Sequence, residues 1–269
     1  MHVHRRRTPG LLVVVLATLV GLLASTGGAT AEEGRHRPGH AQHSQHAQPG
    51  HPHHPGEHST PGNHGERFVV SERQFERMFP ERDPFFTYEG LIEATKTYPR
   101  FARTGPRAVR AREAAAFLAN VSHETGALRY VTTQVPPADT CDETKPYGCP
   151  AGEAAYYGRG AIMLSWNFNY KAAGDALGLD LLGNPSLVEK DPKVAWATAL
   201  WYWNTQKGPG TMTGHHAMVR GYGFGETIRS LNGPNECGGA NPDQMRHRVE
   251  LYIGFTHELR TRPGYGLTC

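Results

Sequence analysis

Apolar side chains recur every three to four positions along most of the C-terminal part of the chain, as they do on one face of an α-helix. The stretches "RAREAAAFLANVSHE", "NFNYKAAGDALG", "DPKVAWATALWYW" and "NPDQMRHRVELYIGFTHEL" carry this pattern. Ser71 and Gln74 form a capping-box sequence, and Asn241 followed by Pro242 marks another helix start. Only "RYVTTQV" alternates as a strand does. The pattern predicts one mainly α-helical domain with long loops over residues 67–269.

Residues 1–31 have the layout of a secretory signal peptide. Three arginines precede an apolar run from Leu11 to Ala24, and Ala29-Thr30-Ala31 supplies the small residues of a cleavage site. The run is shorter than the ~20 residues that a membrane span needs, so an uncleaved anchor is the less favoured alternative. We therefore expect a secreted, extracellular protein that has no membrane association after cleavage.

Residues 32–66 are rich in histidine, proline and glycine and show no apolar periodicity, which predicts a disordered linker. Its histidines could bind a transition metal or form a polycation below pH ~6.5, but a solvated spacer is the simpler interpretation. The net charge of the whole chain, +3, is too small to decide whether a partner is acidic. We expect no nucleic-acid partner.

The chain has four cysteines, which allow three pairings in principle. The pairs Cys141–Cys149 and Cys237–Cys269 are favoured because the two sets lie far apart in sequence, and export permits disulfides. A zinc site is disfavoured, since no C-x-x-C occurs and "HETGA" lacks the second histidine of H-E-x-x-H. No metal is expected in the domain.

Glu124 lies near the predicted C-terminal end of a helix, just before Gly126. The negative end of the helix dipole and partial burial would both favour the protonated carboxylic acid. That form can donate a proton to a glycosidic oxygen. A helix-end glutamate without a role is an equally good interpretation of this residue taken alone.

Two further clusters carry candidate chemistry. "AAYYGRGAIMLSWNFNY" combines aromatic residues such as Tyr157 and Trp166 with amides such as Asn169, a mixture that suits the apolar faces and hydroxyl rims of sugar rings. The same aromatic residues could instead form core. Glu236 and Arg248 lie twelve residues apart and could hold a carboxylate of an active site ionised, or form an ordinary structural salt bridge.

Taken together, several segments in one order resemble the family 19 glycoside hydrolases, the plant and actinobacterial chitinases, and most closely the compact bacterial branch. They include "FLANVSHETGA", "CDETKPYGCPAGEAAYYGRG", "LSWNFNYKAAGDALG", "GFGETIRSLNG" and "ECGG". The resemblance implies a two-lobed, lysozyme-like α-helical (α+β) fold with a substrate cleft between the lobes. It also implies endo-hydrolysis of chitin or chito-oligosaccharides, β-1,4-linked N-acetylglucosamine polymers, with inversion, by a monomer that needs no cofactor.

The resemblance also implies roles for individual residues. Glu124 matches the general acid, and Ser165 matches the hydroxyl that positions the attacking water. Glu236 and Arg248 match the ion-pair network that supports the base. The substrate-binding positions it implies are Tyr157, Met163, Trp166, Asn169 and Asn232.

One departure from the family pattern bears directly on the reaction. The bacterial branch has its general base, a glutamate, nine residues beyond the acid, and here that position is Thr133. A threonine hydroxyl cannot take a proton from water near neutral pH, and a positioned base typically contributes about 10²–10⁴ in rate. Glu143 and Glu153 are the candidates for a substitute base. Smaller departures are Ala127 for glycine, Ala161 for proline and Met163 for glutamine.

Three functions are therefore open. The first is a secreted chitinase that is slowed by Thr133. The second is a non-catalytic, chitin-binding protein that keeps the cleft as a lectin site. A peptidoglycan-directed lytic glycosidase ranks lowest, because nothing in the sequence selects for lactyl or peptide groups.

Overall fold

A computed structural model describes residues 68–269, so the predicted signal peptide (1–31) and linker (32–66) lie outside the described residues. Within this range the chain forms nine α-helices and one 3-10 turn at Glu153–Tyr156. The helices are α1 Glu72–Met78, α2 Tyr88–Thr95, α3 Arg107–Glu124, α4 Asn167–Leu177, α5 Leu187–Lys190, α6 Pro192–Thr205, α7 Gly214–Arg220, α8 Phe224–Glu236 and α9 Pro242–Glu258. None of the described helices is long and apolar enough to cross a bilayer.

Side chains at the N-termini explain where several helices begin. The Ser71 hydroxyl accepts from the Gln74 amide nitrogen, and the Gln74 side chain accepts from the Ser71 backbone in return, which confirms the predicted capping box. Asp191 caps α6 ahead of a proline in the first turn, and Asn241 caps α9 in the same way. These caps satisfy amide groups that have no partner inside the helix.

Helix α3 packs against α7, α8 and α9, and its middle is rich in buried alanine. Small side chains allow the neighbouring helices to approach closely. Phe117 is the large exception, with its ring centroid 5.0 Å from that of Phe101 and 5.5 Å from that of Trp203. The helix thus runs through the centre of one packed group.

A second group forms around α6, which contacts α2, α4 and α5. Trp196 of α6 is fully buried and meets the rings of Phe75, Phe86 and Phe117 at centroid distances of 6.1, 5.8 and 6.3 Å. Because Phe117 belongs to α3, this aromatic cluster joins the two helix groups into one core.

The segment "RYVTTQV", expected to be extended, does not become a strand, and no strand forms between residues 68 and 269. Isolated bridges join Thr132 to Arg159 and Arg159 to Leu164. The prediction of a strand is wrong because the pairing ends at once: the Thr133 amide donates to the Gly158 carbonyl at 2.8 Å, and the chain beyond it is exposed.

Both predicted disulfides, Cys141–Cys149 and Cys237–Cys269, are confirmed. The loop closed by the first is also held by buried Asn167, which donates to the Asp142 and Gly148 carbonyls and accepts from the Asp142 amide. The second fixes the C-terminus beside α8. Gly225 is required there, since a Cβ at that position would lie 2.0 Å from the Thr268 carbonyl oxygen.

Candidate active site

A buried arginine, Arg248, joins three helices at one end of the α3–α9 pair. Its Nη2 donates to Glu124 Oε1 at 2.5 Å and to Glu236 Oε1 at 2.7 Å, and its Nε donates to Glu236 Oε2 at 2.7 Å. Its Nη1 donates to Asn120 Oδ1 at 3.1 Å. Each nitrogen of the guanidinium is thus hydrogen-bonded; the expected pair of Arg248 with Glu236 is present, and Arg248 also contacts Glu124, the expected acid. We call Arg248, Glu124, Glu236 and Asn120 the arginine network.

Glu236 is the fixed member of the arginine network. Its side chain is 3% exposed, and it forms a two-bond contact with Arg248. Asn232, one turn earlier in α8, donates its amide nitrogen to Glu236 Oε1 at 2.6 Å and accepts from Asn235. Both oxygens of Glu236 therefore have strong donors.

A kink in α8 places Asn232 in this position. Pro234 lies inside the helix and removes the backbone bond to Ser230, and Asn232 adopts non-helical angles of φ −145° and ψ 30°. The Ser230 carbonyl accepts instead from the Tyr202 hydroxyl at 3.1 Å. Gly208 packs on the same carbonyl, where a Cβ would lie 2.0 Å from the oxygen, so only glycine fits.

Glu124 is the last residue of α3, and its side chain is 10% exposed. The chain behind it makes a tight turn in which Gly126, Ala127 and Leu128 all have positive φ, at 58°, 65° and 62°. The Thr125 hydroxyl stabilises this turn by donating to the Val121 carbonyl and accepting from the Leu128 amide. Left-handed backbone costs a non-glycine residue about 1–2 kcal/mol, so the orientation of Glu124 is held by a strained turn.

The arginine network shifts the pKa of neighbouring groups. Burial alone would lower the pKa of Arg248, but the charges and hydrogen bonds of Glu124 and Glu236 outweigh it and raise that pKa. Burial, followed by the charge of Glu124, raises the pKa of Tyr202 to about 12. The Tyr202 hydroxyl therefore stays protonated and acts as a donor beside the site.

Two histidines flank the arginine network. His123 precedes Glu124, His247 precedes Arg248, and their Nδ1 atoms lie 2.9 Å apart. The pKa of His123 is lowered to about 2, mainly because the side chain is buried. The charges of Arg248 and His247 lower it further. His123 is therefore neutral in the folded protein at every ordinary pH.

Thr133 lies in a different environment, on a loop that pairs briefly with Gly158. Thr133 Oγ1 packs so closely on Gly158 that a Cβ added to this glycine would lie 2.4 Å from it. Met163 Cβ packs against the same glycine. Thr133 and Met163, two departures from the family pattern, are thus packed around one residue. The Ser165 hydroxyl donates to the Met163 carbonyl at 2.9 Å, which joins Ser165 to this cluster. We call Thr133, Gly158, Met163 and Ser165 the threonine loop.

The predicted sugar-binding positions continue from this loop into the start of α4. Trp166 adopts a positive φ of 75° and stacks on Phe168 at 14° between ring planes. The Asn169 side chain donates to the Ser165 carbonyl at 2.9 Å. Tyr157 lies 3.5 Å below the Arg159 guanidinium, and its hydroxyl donates to Glu189 at 3.3 Å.

The proposed substitute bases, Glu143 and Glu153, are both exposed, and no bond of either carboxylate to a described residue ties it to the arginine network. Sequence reasoning missed Asn120 and Tyr202 as members of the site. Asn120 could have been found, since it lies one helical turn before Glu124 and so shares its face. Among residues 68–269 no group of three metal-ligating side chains occurs.

Comparisons with known proteins identify the family of the chain. A family model described as chitinase class I, of glycoside hydrolase family 19, matches residues 69–269. Chitinase 6 of Oryza sativa subsp. japonica is 43% identical over 187 residues, which are 69% of this chain and 66% of that protein. Endochitinase B of Zea mays is 43% identical over 186 residues, 69% of this chain and 63% of its own length. This chain thus spans slightly less than two thirds of these plant relatives.

Solved structures support the same fold. Chitinase C from Streptomyces griseus HUT6037 has 61% identity and a TM-score of 0.73, covering 75% of this chain and 81% of that one. A class IV chitinase of family 19 from Zea mays has 37% identity and a TM-score of 0.67, and the match covers 75% of this chain and 98% of that one. The predicted mainly α, lysozyme-like fold is confirmed. The chain belongs to glycoside hydrolase family 19, the chitinase family whose model is described as chitinase class I.

Proposed function

We propose that this protein is a secreted, monomeric endo-chitinase that cleaves β-1,4-linked N-acetylglucosamine polymers with inversion, and that its turnover is slow. The observation that carries this proposal is the difference between the two carboxylates on Arg248. Glu124 is 10% exposed and Glu236 is 3% exposed, so only Glu124 can meet a substrate.

Glu124 is suited to act as the general acid. Its Oε1 accepts from Arg248, and no described residue donates to its Oε2. Oε2 is therefore the oxygen that would carry a proton to the leaving glycosidic oxygen as the bond to the anomeric carbon breaks. The strained turn after Glu124 and the rigid arginine network hold this oxygen in place.

Inversion also needs a base that takes a proton from water on the opposite face of the sugar, about 6.5–9.5 Å from the acid. Glu236 cannot serve, because it is buried and both of its oxygens accept hydrogen bonds. Thr133, at the expected position, and Ser165 can orient a water molecule but cannot hold its proton. The proton then passes to solvent, and we expect the reaction to be slower by about 10²–10⁴ than with a carboxylate.

A non-catalytic chitin-binding role is the second candidate, and the threonine loop favours it. The aromatic and amide groups of the sugar-binding positions are present, while the base is absent. The two candidates predict the same binding and differ only in turnover.

The deciding experiment is incubation of the protein with purified N-acetylglucosamine hexamer, followed by chromatography that separates product anomers. Products with inverted configuration, absent with Glu124→Gln, support the slow chitinase. Binding of the hexamer without any products supports the binding role. Products with retained configuration would contradict the proposed mechanism.

A further inference from the structure

A cavity of about 1140 Å³ lies where the start of α1, the start of α3 and the end of α9 meet. Five arginines and one glutamate are among its lining residues, which leaves a formal charge of +4. The whole chain carries only +3, so positive charge is concentrated here. We call this feature the arginine cavity; its charged residues are Arg77, Arg107, Arg112, Glu258, Arg260 and Arg262.

Most of this positive charge has no acidic partner among residues 68–269. Arg77 pairs with Glu258 through Nη2 at 2.5 Å, and Arg107 reaches only the Leu259 carbonyl, at 3.5 Å. Arg112, Arg260 and Arg262 form no ion pair with any residue between 68 and 269. Arginines that have no acidic partner in the described part of the chain leave their guanidinium groups available to an anion.

The backbone adds to the same field. Helix α3 is 18 residues long, it starts at the cavity, and it has neither a side-chain cap at Pro106 nor an acidic residue in its first turn. No acidic side chain in its first turn and no side-chain cap compensate the positive end of its dipole.

Arg260 occupies a position where helices normally have glycine. The Arg260 amide donates to the His257 carbonyl and the Thr261 amide to the Thr256 carbonyl, which is the Schellman pattern at the end of α9. The residue at this point is left-handed, and Arg260 has φ 53°. Glycine would be more stable than arginine at this left-handed position, so the presence of arginine indicates a function for its side chain.

The arginine cavity is separate from the candidate active site. Arg107 and Glu124 lie at opposite ends of α3, 17 residues apart. At a rise of 1.5 Å per residue this places them about 25 Å apart. A ligand in the cavity therefore does not occupy the substrate site.

We propose that the arginine cavity binds a multivalent phosphate-bearing anion. Guanidinium groups match phosphate oxygens with two parallel hydrogen bonds, and several guanidinium groups around one cavity suit several phosphates. The cavity is open to solvent, its volume is slightly above that of sites for drug-sized ligands, about 300–1,000 Å³, and it is too large for one ion. The source is a soluble oligophosphate or a phosphodiester polymer.

Calorimetric titration of the whole protein at 0.15 M salt, with two probes, tests this proposal. Tripolyphosphate represents the soluble source, and a poly(glycerol phosphate) chain represents the polymer. Binding of tripolyphosphate alone assigns the cavity to soluble phosphates. Binding of the polymer, displaced by tripolyphosphate, assigns it to phosphodiester polymers. If neither probe binds below 1 mM, the proposal is wrong.

Two variants locate the site, and one of them excludes misfolding. Arg112→Gln and Arg260→Gly should each weaken binding of the probe about tenfold or more. Arg260→Gly should at the same time raise the Tm by about 2–4 °C, because glycine relieves the left-handed strain. Arg220→Gln removes an equal charge from an exposed residue outside the cavity and should bind as the unmodified protein does. Equal binding by all three variants would overturn the assignment.

Discussion

The two halves of the candidate site are built in different ways. The arginine network is buried and each of its members contacts at least one other, so no single group can move alone. The threonine loop is held by a backbone bond to Gly158 and by packing, and no charged group takes part in it.

This difference explains how one half can change while the other persists. Removing Arg248 from the arginine network leaves Glu124 and Glu236 without their cationic partner, which weakens the domain. Having threonine instead of a carboxylate at position 133 leaves no such unpaired charge, because the Thr133 side chain packs against Gly158 and not against a charged group. The fold and the proposed acid, Glu124, can therefore be kept with Thr133 at the position expected for the base.

The largest expected effect is that of removing the shared cation. Arg248→Leu leaves Glu124 and Glu236 without their partner and should lower the free energy of unfolding by about 3–5 kcal/mol, with loss of any hydrolysis. Urea denaturation of both proteins measures the change. Arg246→Leu, in the same helix, breaks an exposed pair with Asp243 and should change stability by less than about 1 kcal/mol. Similar losses in the two variants would show that the network has no special role.

The second-largest expected effect is the fall in the rate of hydrolysis when the proposed acid, Glu124, is replaced. Glu124→Gln keeps an oxygen for Arg248 to bind but cannot donate a proton as an acid. Hydrolysis of the hexamer should fall by about 10²–10⁴, while its binding, measured by calorimetry, stays the same. An unchanged rate would remove Glu124 from the reaction.

A smaller effect comes from His123, beside the acid. Its pKa is about 2 in the folded protein and near 6.5 in the unfolded chain, so the unfolded state binds the extra proton between these values. Stability is therefore lost as the pH falls below about 6.5, and the loss reaches about 2 kcal/mol at pH 5. Denaturation at pH 7.5 and pH 5 should show this loss, and His123→Gln should remove it. An equal loss in the variant would place the dependence elsewhere.

Much of the fold could be predicted from the sequence because local signals agreed with it. The capping box at Ser71, the Asn241-Pro242 start and the apolar period of "RAREAAAFLANVSHE" each identified a helix. Helix α8 was not predicted as a helix, because Pro234 and two glycines mask its pattern, and packing against α3, α7 and α9 holds it.

The site could be predicted in part. Glu124, Glu236 and Arg248 were found by resemblance, and their contact is present in the structure. Tyr202 could not be found, since its approach to the network depends on the carbonyl that Pro234 frees at Ser230. Such a contact is created by tertiary packing and leaves no local signal.

The central claim is that Thr133 occupies the place of the missing base. The most direct test is the initial rate of hexamer hydrolysis by Thr133→Glu, with Thr132→Glu as the control that adds the same charge to the adjacent residue. We predict that Thr133→Glu raises the rate at least about tenfold and that Thr132→Glu does not. Equal rates for Thr133→Glu and the unmodified protein would contradict the account.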